Sequence, residues 1–62
     1  MAAYTKEFLI DVYMFRFRFF AREVRLELEE NAERCYDTYG RDAFRTYASV
    51  DAEQVKYYKE MN

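Results

Sequence analysis

Apolar residues recur from Phe8 to Tyr39 in two helical stripes, uninterrupted by proline or glycine. The first reads Ile10, Met14, Phe17, Ala21, Val24, Leu28, Cys35 and Tyr39, stepping by four and three with one gap at Asn31. The second reads Phe8, Val12, Phe15 and Phe19, fades at Arg22 and recurs at Leu26. A helix buried on one side needs only one such stripe. The pattern therefore predicts a single long helix over about residues 6–39 with two sides to cover.

Thr5 is the expected N-cap, and Glu7 places a carboxylate near the positive end of the helix dipole. Met1–Tyr4, ahead of it, is expected to fray. From Phe15 to Phe19 apolar residues alternate strictly with Arg16 and Arg18, as on a half-buried strand, so an α+β fold with a strand at 13–20 is the alternative. Phe20-Ala21-Arg22-Glu23 offers no Gly, Pro, Asn or Asp for a hairpin turn, and Ala21–Arg34 is dominated by strong helix formers. The continuous helix is the favoured reading. Gly40, the only glycine, stands where that helix would want a left-handed residue after its end. Two short helices are expected to follow, over about 42–49 with Asp42 as cap and over about 52–61. Asp51 and Gln54 are spaced as a capping box for the second, with Val50 and Val55 as its hydrophobic staple.

Dimensions then bear on assembly. A helix of about 32 residues is about 48 Å long, whereas a compact single chain of this length has a radius of gyration near 11 Å. Either the rod breaks or a second copy covers it. The expected fold is all-α, one domain over residues 1–62, paired as an intertwined or antiparallel homodimer. The first stripe would be its seam, and the two short helices would cover the second. Composition points the same way. The 62 residues are 52% hydrophobic and 21% aromatic, yet hold one cysteine and no histidine. Small domains without disulfides or metals commonly rely on oligomerisation.

The net charge of −2 is unevenly spread: residues 1–25 sum to +2, residues 26–37 to −4, and the rest to zero. Antiparallel pairing centred near Val24 would set Arg18 opposite Glu30 and Arg22 near Glu27 of the other copy. No signal peptide or membrane span is expected, because Asp11, Arg16 and Arg18 interrupt the apolar run. A lone cysteine agrees with the cytoplasm.

Enzymatic chemistry finds little support. One serine and no histidine cannot build a Ser-His or Cys-His nucleophile, and one glycine cannot form a phosphate-cradling loop. Cys35 alone is not a zinc site and reads as a small buried hydrophobe. The acidic pairs Glu23/Glu27, Glu29/Glu33 and Glu33/Asp37 read as a solvated face. No cofactor, metal or small-molecule substrate is expected. Two features suggest binding instead. Seven tyrosines are too many to bury in so small a protein, and Tyr57 and Tyr58 are candidate partner anchors. Arg16, Arg18, Arg22 and Arg25, interleaved with phenylalanines, are the candidate contacts to a nucleic acid. The leading expectation is a non-enzymatic regulatory or adaptor protein acting as a homodimer on another protein. A dimeric nucleic-acid-binding regulator is the alternative. In size and lack of catalytic groups the chain resembles accessory proteins of phages and mobile elements.

Overall fold

A computed structural model describes residues 4–61 as four helices: α1 (Lys6–Phe15), α2 (Arg22–Tyr39), α3 (Arg41–Ala48) and α4 (Ala52–Met61). The fold is all-α, and no described residue lies in a strand, which removes the 13–20 strand. Tyr13, Met14 and Phe15 instead close α1. Of the terminus expected to fray, residues 1–3 lie outside the described residues, and the Tyr4 ring is stacked on Phe8 at 4.8 Å. The expected single helix over 6–39 does not form. It stops after Phe15 and resumes at Arg22, and the radius of gyration is 11.3 Å, that of one compact chain.

The break requires no glycine because it is made in the right-handed region. Arg16 ends α1 at φ −69°, ψ −15°. The amides of Phe17, Arg18 and Phe20 each donate to the carbonyl three residues back, at 2.9, 3.3 and 3.0 Å. These are tight 3₁₀-type turns, which any L-residue can adopt. Ala21, extended at φ −57° and ψ 149°, then redirects the chain. Folding back has a clear energetic reason. It buries Leu9, Ile10 and Val12 in one core with Ala32, Phe44, Ala48, Val50 and Val55. Burying three such side chains of α1 is worth about 5–9 kcal/mol. The few helical hydrogen bonds lost are worth about 0.5–1.5 kcal/mol each, and some are replaced in the turn. Aromatic residues are also mediocre helix formers.

α1 runs antiparallel to α2. Lys6 Nζ donates to Asp37 Oδ1 at 2.9 Å at one end, while Met14 and Phe15 line a groove with Leu26 at the other. That carboxylate is the main reason the Lys6 ammonium titrates above its ordinary range. α4 covers the opposite side of α1, with Tyr58 set edge-on to Phe8 at 5.7 Å and to Phe15 at 5.3 Å. Here the Phe8 and Phe15 part of the second apolar stripe is covered by the chain's own last helix, whereas Phe19 and Leu26 stay exposed. α3 anchors through Phe44, which is fully buried and in edge or tilted contact with Tyr13 and Tyr36. Burial is also what raises the Tyr13 phenol above its usual pKa. The molecule measures 35 × 30 × 16 Å.

Caps follow local chemistry closely. Thr5 Oγ1 accepts from the Phe8 amide at 3.1 Å, and Asp51 Oδ1 accepts from the Gln54 amide at 2.9 Å. Val50 and Val55 are both buried beside that second cap. Two expectations need correction. Asp42 does not cap α3, which begins one residue earlier at Arg41 with Gly40 in the N-cap position. Gly40 is not in the left-handed helical region but at φ 92°, ψ 175°. It ends α2 by donating to the Tyr36 carbonyl at 2.8 Å and starts α3 by accepting from the Phe44 amide at 3.0 Å. That backbone conformation is essentially restricted to glycine and costs other residues about 1–3 kcal/mol. A Cβ added there meets nothing within 4 Å, so the cost is purely conformational. Gly40→Ala is therefore expected to lower unfolding free energy by about 1–3 kcal/mol without altering helix content. Urea titration followed by circular dichroism measures it, and an unchanged midpoint contradicts it.

Candidate interaction surfaces

The corner between α1 and α2 gathers most of the residues singled out for binding. Arginines add side-chain hydrogen bonds to carbonyls at the break. Arg18 donates from one guanidinium nitrogen to the Phe15 carbonyl at 2.7 Å while its guanidinium carbon lies 4.1 Å over the Phe15 ring and 4.9 Å over Phe19. Arg25 Nε donates to the Phe20 carbonyl at 3.1 Å. Arg16 turns to the other side, donating to the Ser49 carbonyl at 3.2 Å in the α3–α4 link and lying 5.6 Å over Tyr13. Among the described residues, Arg22 alone of the four makes no side-chain hydrogen bond or ion pair. Arg16 and Arg18, just past the end of α1, also suit its negative pole, whereas Arg22 and Arg25 stand at the positive start of α2. Three of the four candidate nucleic-acid contacts thus hold the fold together.

Arg18, Arg22 and Arg25 nevertheless share an open groove of about 480 Å³. Its floor is apolar, from Met14, Phe15, Leu26 and Tyr58, and Asp11 and Glu29 complete its wall. Both signs of charge therefore face the same cleft. At its rim the phenylalanines run out into solvent. Edge contacts lead from the core through Phe44, Tyr13 and Phe17 to Phe20, and Phe19 next to it is 88% exposed. Phe20, Val24 and Leu26 are exposed too. An exposed tip of two adjacent phenylalanines, backed by a rigid aromatic ladder, is unlike the singly scattered apolar residues of an ordinary surface.

The second surface is a flank of α2. Val24, Leu28, Asn31, Cys35 and Tyr39 follow one another at helical spacing, and Val24 and Tyr39 are 43% and 71% exposed. Leu28 and Cys35 are half-buried. Ala43 and Tyr47 of α3 deepen its far end into a groove of about 540 Å³ with Asn31, Arg34, Cys35, Thr38 and Tyr39. Tyr47 itself is 69% exposed. The first sequence stripe is thus divided. Ile10 enters the chain's own core, Met14 and Phe17 are half-buried beside it or at the turn, Ala21 is the exposed link, and the α2 part remains open. The expected pairs Arg18–Glu30 and Arg22–Glu27 presuppose one straight rod. With the break, Arg18 belongs to the turn, engaged with Phe15, while Glu27 and Glu30 stay exposed on α2.

Of the tyrosine anchors, Tyr58 is half-buried between Phe8 and Phe15, whereas Tyr57 keeps an exposed face and touches Phe15 edge-on at 5.8 Å. The exposed Phe19–Phe20 tip and Tyr47 were not among the candidate anchors. The sequence places Phe19 on the second stripe, and the signal against its burial is the density of aromatics at Phe15–Phe20. Among the described residues no helix is long and apolar enough to cross a membrane, and no three acidic or cysteine side chains are grouped to hold a metal ion. Compared with protein-family models, with curated proteins and with solved structures, the chain matches none.

Proposed function

We propose that this protein is a small non-enzymatic interaction module that works as a homodimer and binds another protein through the α1–α2 corner. The observation that carries this reading is the Phe19–Phe20 tip beside a groove of mixed charge and apolar floor. Aromatic residues, phenylalanine included, and arginine are enriched at protein interfaces. Mixed charge suits a protein surface, which also carries both signs. A polyanion meets Asp11 and Glu29 in the same groove. Nucleic-acid contact through Arg16, Arg18, Arg22 and Arg25 is further disfavoured because three of them are engaged with backbone carbonyls.

The test places a photo-crosslinkable phenylalanine at position 19 and, as a control, at position 53 on the exposed start of α4. The expected result is one discrete protein adduct from position 19, absent from position 53 and reduced by Leu26→Ser. Adducts to nucleic acid that vanish with rising salt and with Arg22→Ala establish the alternative instead. No adduct specific to position 19 overturns the corner as a docking site.

A further inference from the structure

The open flank of α2 and the asymmetric charges beside it define a register, not only a sticky face. We propose that a second copy of this chain docks along this flank antiparallel to the first, with the twofold axis beside Asn31. The inference rests on the homodimer reading above and specifies its interface. It replaces a seam running the full length of a rod with one confined to α2.

Three observations converge on this register. Val24, Leu28, Asn31, Cys35 and Tyr39 form one row along α2, about 22 Å long from first to last. A twofold axis at Asn31 brings Val24 close to Tyr39 of the second copy and Leu28 close to Cys35, so large and small side chains alternate across the seam. The exposed outer edge of this row carries Glu27 and Arg34. The same axis sets Glu27 within about one residue, ~1.5 Å along the helix, of Arg34 of the second copy, and does so twice. Parallel docking puts the two Glu27 side chains on opposite edges of the seam, where neither meets Arg34 of the other copy. Finally, Asn31, the gap in the apolar row, falls on the axis, where its carboxamide can pair with its own copy. It already accepts a hydrogen bond from Arg34 at 3.1 Å, so Glu27 of the second copy would join a prepared pair. A single polar asparagine in an apolar seam is an established way of fixing register.

The experiment uses the full chain. In a Cys35→Ala background, Asn31→Cys is expected to give a disulfide-linked dimer on mild oxidation, whereas Phe19→Cys remains unlinked. Independently, Glu27→Arg is expected to weaken dimerisation about tenfold by light scattering, and adding Arg34→Glu to the same chain restores it. Both sites are exposed, so circular dichroism should be unchanged. A dimer that links through position 19 rather than 31 and ignores Glu27→Arg overturns this interface while leaving the homodimer intact. A folded monomer at millimolar concentration overturns both.

Discussion

Phe44→Ala is expected to leave the chain largely unfolded at room temperature. Phe44 is the largest fully buried side chain, and it joins α3 to α1 and α2 through Tyr13 and Tyr36. Truncating a buried phenylalanine to alanine costs about 3–5 kcal/mol. A single core in a chain this short rarely supplies more than about 3–5 kcal/mol in total. The loss therefore matches the whole stability of the fold. Far-UV circular dichroism should show most of the helix signal gone and no cooperative melt. A variant that still melts cooperatively within a few degrees of the parent contradicts this account of the core.

The same residue type at position 19 has the opposite consequence. Phe19 is 88% exposed, and its one described ring contact is the Arg18 guanidinium at 4.9 Å. An exposed cation–π contact contributes about 0.5–1 kcal/mol. Phe19→Ala should thus leave the thermal midpoint nearly unchanged. If the corner docks a protein, removing a hot-spot ring costs about 2 kcal/mol, roughly a thirtyfold loss of affinity. Titration calorimetry with the protein captured at position 19 measures this directly. Equal affinity for parent and variant removes Phe19 from the interface.

Local signals in the sequence were read correctly wherever one residue type meets one backbone need. Thr5 and Asp51 cap their helices, Val50 and Val55 bury beside the second cap, and the sole glycine marks the α2–α3 joint. The joint's conformation was misjudged because α3 follows after one residue, leaving no room for a left-handed cap and a separate turn. The larger departure from the sequence pattern is the interrupted helix. The expectation of a continuous one rests on the absence of glycine, proline, asparagine and aspartate near Phe20, which argues against a hairpin turn but says nothing against a right-handed 3₁₀ turn. The deciding effects are tertiary: Leu9, Ile10 and Val12 gain a core by folding back, and Arg18 and Arg25 donate side-chain hydrogen bonds to the Phe15 and Phe20 carbonyls at the break. Neither effect has a local signature. The charge pattern was legible in sign, but its partners were not, because Arg18 and Glu30 belong to one straight helix only on paper.

Gly40 leaves the chain no slack. One residue both finishes α2 and opens α3, so the two helices are geared together like teeth on a single shaft. Adding one residue at that joint would advance α3 by about 100° around its axis and carry Phe44 away from Tyr13 and Tyr36. The turn at 16–20 is tied down differently, by arginine side chains long enough to follow small displacements of the carbonyls they hold. Length variation among descendants of this chain should consequently gather at the aromatic corner and be absent at residue 40. The surface proposed for recognition is then also where the fold is freest to be remodelled.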